Sequence, residues 1–199
     1  MSLLRPFQAT DLFRFNNVNL DPWTETYSVS YYLQYLCTWP DLINLAEAPN
    51  GQVMGYGKYN IELEKKRFNF DQAINSTQKV MGKTEGEGKN WHGHVSAITV
   101  SPLYRRLSLA RSMMGLLEQA SDQQRCYFVD LFVRVSNDLA IEMYEKFGYS
   151  VYQRVLNYYS GYKADYYEED AFDMRKALSI DKDKSSIRKN GREIIVDHP

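Results

Sequence analysis

Val100-Ser101-Pro102-Leu103-Tyr104-Arg105-Arg106-Leu107-Ser108-Leu109-Ala110 decides how this chain is read. A β-branched, apolar strand ends at Val100, Ser101-Pro102 turns it, and a helix begins at about Ser108. The first turn of a helix carries N–H groups with no partner inside the helix and a partial positive charge, so a diphosphate can bind there largely through backbone. Small residues at Ser108 and Ala110 allow close approach, and Arg105 and Arg106 add charge-assisted contacts. The plainer alternative is a surface loop with two solvated arginines. The surroundings favour the cradle, because the turn opens a β-α-β unit of the right length.

Outward from this turn, His92 to Val100 alternates as a strand. Leu109, Met113, Leu116, Leu117 and Ala120 form one helical face after it. Phe128 to Val133 reads as a buried strand, and Asn137 to Phe147 as an amphipathic helix closed by Gly148. Tyr149 to Tyr158 is a strand, Ser160 to Asp170 a polar loop and Ala171 to Arg175 a last strand. Upstream, Leu3 to Phe7 is a first strand and Asp11 is the expected N-cap of a helix running to about Asn19. The turn-rich Asp21 to Tyr27 follows, and a second helix through Tyr31, Leu33, Leu36 and Cys37 stops before Pro40. Leu42 to Ala48 and Gln52 to Tyr59 flank Pro49-Asn50-Gly51 as a hairpin. Residues 60–89 interrupt the pattern as an inserted loop, with a little strand expected near Lys79 to Met81. The expectation is one α/β domain over residues 1–178, a mixed sheet with helices on both faces, and a polar C-terminal tail over 179–199 that is disordered on its own.

Composition narrows the classes of function. Lys plus Arg (24) nearly cancels Asp plus Glu (25) in 199 residues, so no strong field points to direct nucleic-acid binding or an anionic membrane. Neither a signal peptide nor a stretch of membrane-spanning length is present, which makes cytoplasmic the default. Cys37 and Cys126 sit among apolar neighbours and read as small core residues of a reducing compartment. The 16 tyrosines suit a groove that holds a polar chain, although most are expected in the core or at its rim. On the His92 strand, His92, His94 and Ser96 share one polar face, as a substrate groove requires. Asn137, Ile141 and Tyr144 share a helical stripe. Read alone, Asn137 is a helix cap, Tyr144 rim packing and His94 structural. The first two helices carry Leu12, Phe13, Phe15, Tyr31, Tyr32, Leu33, Tyr35 and Leu36, more apolar surface than one packed face uses, which predicts a partner.

Arg105-Arg106-Leu107-Ser108-Leu109-Ala110 resembles the Arg/Gln-x-x-Gly-x-Gly/Ala coenzyme A signature of GNAT acetyltransferases, with Ser108 where that family usually has Gly. A negative φ at Ser108, with its hydroxyl capping the helix, is the expectation there. The stretches Asp11 to Asn17, Asn19 to Pro22, Thr24 to Tyr27, Tyr32 to Leu36, Trp91 to Val95, Phe128 to Asn137 and Gly148 to Tyr152 together resemble the catalytic subunits of NatB N-terminal acetyltransferase complexes. The likeness runs from Leu3 to about Leu178, residues 60–79 excepted.

That resemblance implies the GNAT fold, with a mostly antiparallel mixed sheet. It also implies acetyl-CoA as cofactor, nascent proteins beginning Met-Asp, Met-Glu, Met-Asn or Met-Gln as substrates, and a helical-repeat auxiliary subunit that anchors the enzyme at the ribosome. It places the cofactor on Thr99, Val100, Arg105, Arg106, Leu107, Ser108, Leu109, Ala110, Asn137 and Tyr144. The peptide falls to Leu20, Glu25, Tyr27, His94, Ser96, Tyr158 and Tyr159. Tyr144 and His94 are the catalytic candidates, with Tyr144 the acid for the departing thiolate. An amine is nucleophilic enough to attack directly, so no enzyme nucleophile is required; Cys126 has no histidine next to it in sequence. The alternatives left are a GNAT acetyltransferase acting on other N-termini, lysine or a small amine, and a non-catalytic GNAT shell serving as an interaction subunit.

Overall fold

The computed structural model describes residues 3–15, 18–19, 26–38, 40, 43–60, 84–85, 88–159 and 168–199. The strands are β1 (Leu3–Pro6), β2 (Ile43–Glu47), β3 (Val53–Asn60), β4 (Thr84–Glu85), β5 (His92–Val100), β6 (Phe128–Arg134), β7 (Ser150–Tyr159), β8 (Glu169–Ala177) and β9 (Ile195–Val196). The helices are α1 (Val29–Thr38), α2 (Leu109–Gln123) and α3 (Asp138–Lys146). One mixed sheet runs β1-β2-β3-β5-β6-β8-β7-β9, with β4 paired to the start of β5. Its β5/β6 and β7/β9 pairs are parallel and the others antiparallel.

Alternation along β2 separates two cores. Ile43 and Leu45 join an aromatic cluster of Phe7, Phe15, Tyr32, Tyr35 and Tyr56, while Ala46 and Ala48 join Met113, Leu117, Ile141 and Tyr144 on the other side. Thus α1 covers one face and α2 with α3 the other. The hairpin around Pro49-Asn50-Gly51 forms as expected, Gly51 adopting φ +80°. The buried stripe of α2 takes Met114 in place of the expected Leu116, which stays 40% exposed. Helix α2 lies close on β5: a Cβ at Gly93 would collide with the Ser121 hydroxyl, so only glycine fits there.

Three expectations are corrected. Asp11 does not cap an α-helix: Ala9–Phe13 is a single 3-10 turn with Gln8 at its N-cap, and Asp11, at the third position, accepts from Gln8 N at 2.8 Å. It is held there by Arg5, which donates from both terminal nitrogens at 2.7 and 2.8 Å. Cys37 is exposed, whereas Cys126 is buried. The C-terminal segment is not a free tail. Asp181 accepts from the N–H and hydroxyl of both Ser185 and Ser186, Arg188 lies 3.8 Å over Tyr152, and Ile195–Val196 pairs with Arg154 and Val155. These contacts are polar or backbone-mediated, so hydrophobic patterning carries no trace of them. The strand expected near Lys79 to Met81 lies outside the described residues.

Candidate active site

The parallel β5/β6 ladder joins His92–Val95 to Phe128–Leu131 and goes no further. Beyond it the two strands separate, and a cleft of about 610 Å³ opens between their C-terminal halves. Ser96 to Val100 and Leu131 to Arg134 line it along the sheet. The start of α2 closes one end, α3 forms a wall through Asn137, Met143 and Tyr144, and Tyr27, His94, Tyr158 and Tyr159 surround the other end. Thr99, Val100, Arg105, Arg106, Ser108, Leu109 and Ala110 are therefore brought together with the expected peptide-side residues. Leu107 is not: it points away, 58% exposed. Leu20 and Glu25 lie outside the described residues.

At the turn, Pro102–Tyr104 forms a 3-10 segment, and the Tyr104 hydroxyl donates to Gln52 Oε1 at 2.5 Å, tying it to the hairpin. Ser108 is the N-cap residue of α2, yet its φ is +59° and its hydroxyl does not cap. This corrects the expectation of a negative φ. The left-handed conformation is the one that glycine adopts without strain, and Arg106 shares it at φ +67°. Relief of that strain outweighs the extra chain entropy of glycine, so Ser108→Gly should raise stability by about 0.5–1 kcal/mol. The check is the urea midpoint at constant m, and a lower midpoint overturns it.

On the peptide side, His94 Nδ1 lies 2.8 Å from Asp130 Oδ1, and His92 Nε2 lies 3.5 Å from Asp130 Oδ2. Asp130 is 4% exposed. Burial by itself would raise its carboxyl, but His94, His92 and Arg175 prevail and hold it below the usual carboxylate range. His92 stacks on Phe128 at 4.7 Å, has Nδ1 at 2.6 Å from Asn90 O, and does not line the cleft. Its expected place on the groove face is thereby corrected. Ser96 does line the cleft, with its hydroxyl buried beside Tyr35.

Tyr144 is buried on the α3 wall, and burial pushes its phenol well above the ordinary value, so the hydroxyl keeps its proton at neutral pH. Asn137 caps α3, its side chain accepting from Ala140 N at 3.2 Å, and it also lines the cleft. The Tyr158 ring stacks on Phe132 at 4.3 Å, and Phe132 in turn sits 5.8 Å from His94. The Tyr159 hydroxyl donates to Phe132 O at 3.0 Å, and the Arg134 guanidinium lies 4.1 Å from the Tyr159 ring. Asp130, Phe132 and Arg134 were not singled out from the sequence. A carboxylate inside the apolar run Phe128 to Val133 was the available signal, since an acidic residue is rarely buried without a partner. Cys126 is fully buried, and that burial, with Asp122, pushes its thiol up to about 12; a neutral buried thiol is no acyl carrier.

The Acetyltransferase (GNAT) family profile matches residues 12–149. The chain is 49% identical over 198 residues to the N-terminal acetyltransferase B complex catalytic subunit NAA20 of Arabidopsis thaliana, covering 99% of this chain and 97% of that protein. The chain belongs to the NatB catalytic subunits of the GNAT family. Its fold is similar to that of Chaetomium thermophilum Naa20 in complex with a bisubstrate analogue, with TM-score 0.80, 35% identity, and coverage of 98% of this chain and 96% of that one. It is also similar to a NatB acetyltransferase complex bound to CoA and MES, with TM-score 0.67, 42% identity, and coverage of 88% and 99%. As a NatB catalytic subunit the chain is a peptide α-N-acetyltransferase, and the cleft between β5 and β6 is its candidate active site.

Proposed function

We propose that this NatB-type chain transfers acetyl from acetyl-CoA to the α-amino group of nascent proteins beginning Met-Asp, Met-Glu, Met-Asn or Met-Gln, by direct attack in a ternary complex. The observation that carries this reading is one continuous cleft, with a basic helix start at one end and a histidine–carboxylate pair among tyrosines at the other. The cofactor supplies an activated acetyl thioester. The start of α2 suits a diphosphate, because the first turn of a helix has amides without partners inside the helix, and the exposed Arg105 and Arg106 precede it. Thr99 and Val100, on the β5 edge that has left its ladder, flank the acetyl arm. Asn137 and Tyr144 hold the thiol end, and the Tyr144 hydroxyl holds the proton that a departing thiolate needs.

His94 and Ser96 stand where the first two peptide residues enter, with Tyr27, Tyr158 and Tyr159 as walls. Leu20 and Glu25 keep the assignments that the resemblance gave them. A free α-amino group titrates at roughly 7.7–8.0, so a neutral amine is available near physiological pH without a strong base.

A helical-repeat auxiliary subunit that anchors the enzyme at the ribosome is the proposed partner, and the cytoplasm the proposed location. Exposed apolar side chains at Phe13 (87%), Val29 (62%) and Leu33 (40%) support a partner on the α1 side. Among the described residues no helix is long and apolar enough to cross a membrane.

The test is thiol release with peptides starting Met-Asp, Met-Leu or Ser, and with an internal lysine, with the auxiliary subunit present. Met-Asp should be preferred at least about ten-fold in kcat/KM, a difference of about 1.4 kcal/mol. Equal rates on Met-Leu, or a preference for lysine, would replace the proposed specificity. Acetyl-CoA binding without turnover on any peptide would leave a non-catalytic shell.

A further inference from the structure

The buried cluster behind the cleft holds more charge than acetyl transfer demands. Asp130 is on β6, where the parallel register with β5 sets it directly beside His94. Ionised, it can only accept, so the proton on the His94–Asp130 contact belongs to Nδ1 of the ring. A neutral imidazole has one donor and one acceptor. With Nδ1 committed as the donor, Nε2 is left as the acceptor for whatever occupies the cleft that His94 lines.

We propose that Asp130 is a positioning residue that acts through His94: by taking the Nδ1 proton it fixes the ring's tautomer and orientation, so that Nε2 alone meets the substrate's second residue. This rests on the peptide-side reading above and adds a rule to it. The neutral ring accepts from the amide N–H of an Asn or Gln second residue. The protonated ring donates to the carboxylate of an Asp or Glu second residue, or to the carbonyl oxygen of an amide. An amide can turn to suit either state, and a carboxylate suits only the second.

The groups around this pair are consistent with a held tautomer. Asp130 Oδ2 faces His92 from the same strand as His94. On β8, Asp173 and Arg175 satisfy each other at 2.8–3.2 Å, and Arg175 is sandwiched by Phe128 and Tyr152, at 4.5 and 3.5 Å, so neither competes for Nδ1. From β7, Tyr158 reaches the cluster through its stack on Phe132. From β3, Tyr56 lines the same cleft, its hydroxyl shared with Tyr32 and Asn19.

The experiment uses the full chain labelled with 15N-histidine, whose 3 histidines keep the spectrum simple. His94 should carry its proton on Nδ1. In Asp130→Asn the amide can turn its N–H₂ toward Nδ1, and the population should move to the other tautomer. An unchanged tautomer overturns the proposal. In the complex, Asp130→Asn should raise the Met-Asp to Met-Asn ratio of kcat/KM about 10-fold, the size of one charge-assisted hydrogen bond, because Nε2 then carries a proton for the carboxylate while an amide turns to suit either ring, with KM for acetyl-CoA within about two-fold. In the double variant with His94→Ala that ratio should equal the ratio of His94→Ala alone, and a further change would mean that Asp130 acts elsewhere. Absence of transfer to every peptide would instead defeat the proposed specificity, and the tautomer measurement would still decide the role of Asp130.

Discussion

Tyr144→Phe lowers kcat by about 10²-fold, or about 2.7 kcal/mol of barrier, and leaves KM for acetyl-CoA and for peptide within a factor of about two. The ring stays where it is, because its packing is apolar: edge contacts to Phe147 at 6.5 Å and Tyr149 at 6.0 Å do not involve the hydroxyl. What is removed is one proton at one place. Burial raises the Tyr144 phenol, so across the neutral range it is a donor and never a base. A thiolate is a poor leaving group without either a proton or a field to meet it, and Tyr144 lines the wall of the cleft where α3 faces the separated strands. The loss should be the same at every pH up to moderately alkaline values, because the acid does not ionise there. Steady-state kinetics with Met-Asp peptide check this; an unchanged kcat takes Tyr144 out of the chemistry and leaves it as packing.

Much of the frame behind that prediction can be read in the chain itself. The strand–turn–helix at Val100 to Ala110, the hairpin at Pro49-Asn50-Gly51 and the α3 cap at Asn137 are written in adjacent residues, because their causes are local: turn chemistry, amphipathic period and a side chain reaching its own helix start. What escaped has causes remote in sequence. Asp130 belongs beside His94 only because two parallel strands, separated by α2, meet in one register. The positive φ of Ser108 is set by how β5 hands over to α2 and is invisible in a residue type that usually caps. The C-terminal strand was unread because its anchors are an aspartate with two serines, a stacked arginine and a backbone ladder, none of which leaves an apolar period.

The same remoteness governs the second large effect. Asp11→Ala should destabilise the fold by about 2 kcal/mol, less than the ~3–5 kcal/mol for breaking a fully buried pair, because Arg5 and Arg14 keep contact with water. Asp11 is 1% exposed and takes both terminal nitrogens of Arg5 as well as Arg14 at 3.3 Å. Arg5 and Arg14 each also bind Glu47 on β2, at 2.7 and 3.1 Å. Four charges thus clamp β1, the 3-10 turn and β2 over the aromatic core that carries α1. The hydrogen bond from Arg5 is the largest influence on the Asp11 carboxyl and, against burial, holds it below its ordinary value. A carboxyl depressed in the folded state adds stability that is complete above its unfolded pKa of about 3.9 and disappears as pH falls through the lower folded value. Wild-type stability should therefore drop through the acid range, and Asp11→Ala should drop less steeply, so the two curves converge toward low pH. Asp173, which burial pushes the other way, titrates in both proteins and cancels in the difference. Urea midpoints from about pH 3 to about pH 7 measure that difference. A gap that stays constant with pH would mean that Asp11 contributes through its shape and the 3-10 turn alone, with the ion cluster contributing nothing measurable.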